Sequence, residues 1–480
     1  MLKSHYNPDP KFGRLGGAPF FDPVAAAAFP KAIIRYRNQR WAEAIGLGAL
    51  TDADWVRRFA QFDPLPDNLD RPLAIRYHGH QFRVYNPDIG DGRGFLFAQL
   101  RDAFGRLLDL GTKGSGRTPY SRTADGRLTL KGGVREILAT EMLEALGVYT
   151  SKTLSLIETG EQLVRGDEPS PTRSSVLVRL GHSHIRFGVF QRLAYEGDAD
   201  AIARLVDYCV EAFDPDLCAL ERPEKTAQFF ARVVARTARL VSQWMAAGFV
   251  HGVLNTDNMN VTGESFDYGP WRFLPAADFT FTAAYFDQDG LYAYGRQPEA
   301  ALWNLSRFGG TLVAQTSELA LNSALQSFSA MFEAGMTESF FRRLGVAPSG
   351  EDDFRFVMGL MQWMEKTAAP FERVFFDWFC GKESGARAET SPLAPLYAET
   401  DFAPLKERLV GYAPVGAERL SHPYFSGAPS TMLIDEVEAI WAAIAERDDW
   451  SLLQSKLQDI AFMREALALD GSRFVAAPFQ

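Results

Sequence analysis

The sequence predicts an α+β protein of two lobes, strand-bearing in its first half and helical in its second. Three observations carry this. Between residues 72 and 190, short apolar runs of strand character alternate with glycine-rich turns around one amphipathic helical pattern at 132–146. From Asp198 onward the apolar spacing is helical, most clearly at 227–245. Between the helical pattern and an aromatic-rich segment, residues 251–267 crowd Asp257, Asn258 and Asp267 into one polar stretch. The expected organisation is an N-terminal extension over 1–70, a strand-bearing lobe over 71–190 and a mostly helical lobe over 191–480.

The whole-chain numbers narrow the function. At 480 residues, 46% hydrophobic and 13% aromatic, the chain has the composition of a large globular protein and not of a disordered one. A net charge of −10 argues against a dedicated nucleic-acid binder, which needs surplus Lys and Arg to neutralise phosphates. Cys209, Cys218 and Cys380 form no C-x-x-C pair, which fits a reducing compartment. Residues 1–17 have neither the apolar core of a signal peptide nor an Arg-rich transit pattern, so the expected location is cytoplasmic. No apolar run approaches the roughly 18 residues of a spanning helix, so no membrane partner is expected.

Taken in order, residues 1–70 read as an irregular arm with helical patterns at 32–45 and 52–62. Tyr77-His78-Gly79-His80-Gln81-Phe82 then leads into Ile89-Gly90-Asp91-Gly92-Arg93-Gly94, followed by strand patterns at 95–100 and 106–110. Because Gly90, Gly92 and Gly94 lie between extended segments, they predict a strand–turn–strand lid, not the strand-to-helix turn of a dinucleotide fold. Amides of such a turn can approach a phosphate, because no Cβ intervenes. The second strand ends at Lys113. The helix at 132–146 carries the stripe Val134, Ile137, Leu138, Met142, Ala145 and Leu146, with Glu136 beside it and Gly147 as a stop.

A glycine turn, a strand lysine and a helix glutamate, in that order, are the parts of a protein-kinase N-lobe, where the lysine grips phosphates and the glutamate fixes the lysine. Taken singly, Lys113 reads as a solvated strand end and Glu136 as a first-turn dipole partner. Their order favours the functional reading.

After a polar loop at 119–127 with the turn Asp125-Gly126, strands are predicted at 153–158 and 175–180. The latter runs into Arg179-Leu180-Gly181-His182-Ser183-His184-Ile185-Arg186. Two arginine forks can reach one anion, though surface arginines would look the same. His182 and His184, with no acid nearby in sequence, make a poor zinc pair. Adjacent Asp257 and Asn258, with Asp267 opening an Asp-Tyr-Gly turn, suit an oxygen-ligated Mg²⁺ beside a base. The plain alternative is a helix cap and a turn. Beyond this, 298–325 and segments within 351–467 continue the helical lobe, with 384–404 as an exposed connection and closing helices at 435–445 and 452–467.

These motifs together resemble the selenoprotein O family, protein-kinase-like enzymes that transfer AMP to proteins. The resemblance rests on Gly90-Asp91-Gly92-Arg93, Lys113-Gly114 with Arg117-Thr118-Pro119-Tyr120-Ser121-Arg122, Asp125-Gly126-Arg127, Arg135-Glu136, and Ser183-His184-Ile185-Arg186-Phe187-Gly188. It continues through Gly248-Phe249-Val250-His251-Gly252, Asn255-Thr256-Asp257-Asn258-Met259, Asp267-Tyr268-Gly269-Pro270 and Ala301-Leu302-Trp303-Asn304. The resemblance implies a kinase-like two-lobed fold with Gly90, Gly92 and Arg93 as nucleotide lid and Lys113 held by Glu136. It implies that Asp125, Gly126, Arg179 and Arg186 complete the ATP pocket, that Asp257 is the catalytic base, and that Asn258 and Asp267 hold Mg²⁺, with Asp267 also facing ATP. ATP as co-substrate would sit reversed, γ-phosphate buried and α-phosphate toward a Ser, Thr or Tyr hydroxyl of a protein substrate.

The residues agree with that implication. A kinase places four residues between its catalytic Asp and metal Asn, whereas Asp257 and Asn258 are adjacent. Arg93, Arg179 and Arg186 exceed what a γ-phosphoryl donor requires and suit a retained pyrophosphate leaving group. One departure stands out: family members often pair a C-terminal Cys or selenocysteine with a loop Cys, but 474–480 and 279–290 contain none. Redox control by such a pair is therefore not expected. The competing functions are a protein uridylyltransferase using UTP and Mn²⁺, an ordinary protein kinase, and an inactive nucleotide-binding scaffold. A scaffold would not need Lys113, Glu136, Asp257, Asn258 and Asp267 all together.

Overall fold

The computed structural model describes residues 5–469 except Asp167 and Glu351. The cysteine-free segment 474–480 lies outside them. The strands are β1 (Phe21–Pro23), β2 (Ile33–Arg37), β3 (Leu73–Ile75), β4 (Gly79–Gln81), β5 (Val84–Asn86), β6 (Leu96–Arg101), β7 (Leu107–Lys113), β8 (Leu128–Thr129), β9 (Lys152–Leu163), β10 (Thr172–Gly181), β11 (Phe249–Val250) and β12 (Arg272–Phe273). An antiparallel sheet runs β1-β3-β6-β7-β10-β9-β2, with β8 alongside β10. The pairs β4-β5 and β11-β12 stand apart from it.

Alternation along the central strands sorts their side chains between two cores. On β10, Val176 and Val178 face one core while Leu177 faces the other. The first core lies under helices α1 (Gln39–Ala44) and α2 (Asp52–Phe59), whose Trp55 and Phe59 are fully buried against Phe97, Leu108 and Leu110. The second lies under α3 (Leu130–Ala145), which buries Val134, Ile137, Leu138 and Met142. Thr129 caps α3 by accepting a bond from the Gly132 amide at 3.1 Å. Because Leu177 opposes Lys113 in register, Lys113 stands on the α3 face.

The arm is less irregular than its sequence reads. The expected helix over 32–45 is β2 followed by α1, because Ile33 to Arg37 add to the edge of β9 and Asn38 then caps the Trp41 amide. The arm thus supplies both outer strands of the sheet and the cover of one face. The glycine segment is also not a hairpin lid. β4 and β5 pair with each other and β6 pairs with β3, so residues 87–95 form a return connection. That connection is pinned at Asp91, whose carboxylate accepts from the Ile75 amide at 3.0 Å.

The second half is helical: α4 (Phe187–Tyr195), α5 (Ala199–Phe213), α6 (Arg222–Ala246), α7 (Gln297–Gly309), α8 (Glu318–Gln326), α9 (Phe328–Leu344), α10 (Asp353–Thr367), α11 (Phe371–Asp377), α12 (Gly385–Thr390), α13 (Ala394–Tyr397), α14 (Ala403–Gly411), α15 (Ile434–Arg447) and α16 (Ser451–Leu467). α6 is central, packing against α7, α8 and α9. The segment 384–404 is not an exposed connection. Its Tyr397 donates to the Asp377 carboxylate at 3.0 Å, and Phe402 packs on Trp363 with centroids 4.5 Å apart. Three large apolar residues, Leu393, Tyr397 and Phe402, outweigh the polar and proline content that made it look solvated. α16 returns to α3, where Arg464 bridges Glu141 and Glu144 at 2.9 Å each. No helix among the described residues is long and apolar enough to cross a membrane.

Candidate active site

Lys113 at the end of β7 and Glu136 in the second turn of α3 form a buried ion pair. Glu136 therefore lies beyond the first turn, where a helix-dipole role would place it. The same Lys113 reaches the Asp267 carboxylate at 2.9 Å. β10 delivers Arg179 onto this face opposite Gly111. There a Cβ on Gly111 would lie 2.0 Å from the His184 ring, so glycine is what lets the chain after β10 fold back over β7. That return carries Arg186 to the start of α4. Arg186 donates to the Asp257 carbonyl at 2.7 Å and to Asp267 Oδ2 at 3.1 Å.

Asp267 is the common anion of these cations. Burial pushes its carboxyl up, but Lys113, Arg186, Arg179 and Arg93 together outweigh burial and hold it well below the usual carboxylate range. Its backbone is left-handed, with φ of 63°. The arginines differ in what they have left to give. Arg186 is spent on Asp257 and Asp267, with Tyr77 and Phe266 each 4.8 Å from its guanidinium. Arg179 lies 3.6 Å from Asp267, too long for a hydrogen bond, and its buried Nη1 has no hydrogen-bond partner among the described residues. A buried guanidinium N–H without an acceptor is a place for an anionic oxygen.

The stretch 251–267 is held from several sides. His251 Nε2 donates to the Phe266 carbonyl, 3.0 Å away, while its amide donates to Gln297. Thr256 Oγ1 donates to Gln191 and accepts from the His80 amide at 2.7 Å. Asn255 accepts from the Phe82 amide and the Tyr292 hydroxyl. Asp257, in a single turn of 3-10 helix, is only 7% exposed, and its Oδ1 has no hydrogen-bond partner among the described residues. Burial raises its carboxyl to about 6, Arg186 opposing.

If Asp257 is the base, it must be ionised to accept a proton, and turnover should then climb as pH rises through about 6 and level off above it. A pH–rate profile checks this. A limb near pH 4, the range of an ordinary carboxylate, would remove Asp257 from that role.

An oxygen-ligated divalent cation fits two donors: the ionised Asp267 carboxylate, and Asn258, whose Nδ2 donates to the Val253 carbonyl at 2.9 Å and so leaves the amide oxygen to a ligand. Among the described residues no group of three His, Cys, Asp or Glu could hold a metal. His182 and His184 face acids far away in sequence, Glu264 at 2.9 Å and Asp109 at 3.5 Å.

Contacts thus gather Lys113, Glu136, Arg179, Arg186, Asp257 and Asp267. Arg93 is exposed and acts on Asp267 through charge. Gly90 and Gly92 pack against Tyr120, where a Cβ on Gly90 would lie 2.5 Å from the ring. Asp125 and Gly126 are not part of the cluster by contact. Asp125 pairs with Arg165 at 2.8 Å, and Gly126 abuts the backbone of Gly116. Asp91 and Phe266 also belong here, though no local pattern marks them as site residues; Asp91 stands between the two glycines of the lid motif. Its buried carboxylate lies 3.8 Å from Arg186.

The family model described as protein adenylyltransferase SelO matches residues 2–461. The chain is 42% identical over 475 residues to the protein nucleotidyltransferase YdiU of Synechococcus elongatus, covering 94% of each chain. It is 50% identical over 335 residues to the protein of the same name from Synechocystis, covering 69% of each. To that from Vibrio cholerae it is 35% identical over 369 residues, 77% of this chain and 74% of the relative.

Proposed function

The chain belongs to the SelO family and is a protein nucleotidyltransferase, and from that premise we propose that it transfers AMP from ATP to hydroxyl side chains of proteins in the cytoplasm. The sheet with α3 and the helical half would act as the two lobes of a kinase-like fold, with nucleotide between them. The observation that carries the reading is the arrangement around Asp267. Lys113, Arg179 and Arg186 converge on one point, and Arg179 alone keeps a buried N–H unspent. Such a concentration of cations suits the terminal phosphates, which would bind there with the α-phosphorus left facing the acceptor.

In this reading Asp257 accepts the proton of the attacking hydroxyl. The hydroxyl oxygen bonds to the α-phosphorus, the bond from that phosphorus to the bridging oxygen breaks, and pyrophosphate leaves. Arg179 and Lys113 hold the leaving group while Glu136 keeps Lys113 in place. Mg²⁺ held by Asn258 and Asp267 would supply charge neutralisation at the phosphates. Gly90, Gly92 and Arg93 would cover the nucleotide, and Asp125 and Gly126 would complete its pocket outside the Asp267 cluster.

Incubation with ATP labelled at the α- or the γ-phosphate tests this directly. The modified protein should carry the α-label, gain one AMP and release pyrophosphate. Arg179→Ala should cost turnover by about 10²-fold, as expected for loss of a charged contact to a leaving group. Transfer of γ-label without α-label would establish the kinase alternative instead, and label only from UTP with Mn²⁺ would establish the uridylyl one.

A further inference from the structure

A cavity of about 930 Å³ lies beyond the C-terminal end of α3, where α1, α9, α16 and the β6–β7 turn meet. None of its lining residues belongs to the cluster around Asp267. Its volume falls in the range of small-molecule sites, roughly 300–1,000 Å³. Six cations line it, Arg40, Arg106, Lys152, Arg342, Arg419 and Arg464, against the two carboxylates Asp102 and Glu144. Burial pushes the Glu144 carboxyl up, yet Lys152, Arg40 and Arg464 outweigh it and bring it to about 2. Glu141 behind the wall also meets Arg464, at 2.9 Å, and cations still outnumber the carboxylates on and behind the wall.

Two further features point to a ligand. His182 lines the cavity with its ring stacked on Tyr149, centroids 5.1 Å apart. Its Nδ1 is held by Glu264, and its buried Nε2 has no hydrogen-bond partner among the described residues. Phe104 at the tip of the β6–β7 turn also lines the cavity, yet is 85% exposed. An aromatic ring left in solvent beside a cationic wall offers a face for a planar group.

We propose that this cavity is a second ligand site, taking a small organic anion of the nucleoside-phosphate class, its phosphates on the arginine wall and its ring against Phe104. The site would be felt at the Asp267 cluster through two short paths. His182 lies on the segment joining Arg179 to Arg186, and Glu144 lies on α3, eight residues or about two turns beyond Glu136.

Equilibrium dialysis of the full chain against labelled ATP with Mg²⁺, up to millimolar concentration, should find two equivalents bound per chain. Arg342→Glu should remove one equivalent and leave the other at parental affinity. Phe104→Ala, at an exposed position that leaves the fold undisturbed, should weaken the same equivalent about tenfold. A single equivalent in the parent, or a second one that neither substitution changes, would overturn the proposal. Failure of the Asp267 reading would show separately, as the other equivalent keeping its Mg²⁺ dependence in Asp267→Ala.

Discussion

Asp257→Ala should lose turnover by about 10²–10⁴-fold, the contribution of a positioned general base, while nucleotide affinity stays close to that of the parent. The structure separates the two effects. Arg186 binds the carbonyl of Asp257, not its carboxylate, so the contact that fixes this backbone survives the substitution. The carboxylate itself has an unpartnered Oδ1 and a neighbour in Gly79, where a Cβ would stand 2.9 Å from that oxygen. Gly79 therefore leaves room for the carboxylate at this point. Initial rates and equilibrium binding, measured on the Ala and Asn variants together, check the expectation. Asp257→Asn retaining more than a tenth of parental turnover would show that the group does not take the proton.

Asp267→Ala should abolish metal-dependent nucleotide binding and also destabilise the fold. Its carboxylate is the shared partner of Lys113, Arg179 and Arg186, all buried, and removing one partner of a buried ion pair costs about 3–5 kcal/mol. Alanine lacks the short polar side chain that eases a left-handed backbone, which adds to the loss. Asp267→Asn isolates the charge, since asparagine tolerates that backbone. The expected pattern is a lowered melting temperature in both variants, lower in Ala, and loss of the Mg²⁺ dependence of ATP binding in both. Metal-free ATP should still bind, because Lys113, Arg179 and Arg186 have lost the one anion they share. Parental Mg·ATP binding by Asp267→Ala would show that Asp267 is not a metal ligand.

Much of the site was legible because its parts carry local signals. A lysine closing a strand, a glutamate beside a helix stripe and an Asp-Asn pair after a capped helix each follow from short-range patterns, and their order along the chain limits what they can be. The helices α3, α6, α15 and α16 were equally clear, because an amphipathic helix writes its period into a single stretch. Strand edges and loop anchors write no such period. β2 was read as helix because its partner, β9, lies more than a hundred residues away. The packing of 384–404 against Asp377 was hidden because three scattered apolar residues among prolines and acids leave no period to read.

The sequence alone therefore determined which residue types were available and in what order: Lys113, Glu136, Arg179, Arg186, Asp257, Asn258 and Asp267. Only the tertiary structure decided how they share the work. Register places Lys113 and Arg179 on the α3 face, and the glycine at 111 lets the chain return so that Arg186 meets Asp267. Burial then drives the two aspartates apart: Asp267 among cations stays ionised, while Asp257, deep beside an arginine that it meets mainly through its carbonyl, rises to about 6. Charge is spelled in the sequence, but the desolvation and distance that set its energy exist only once the chain has folded.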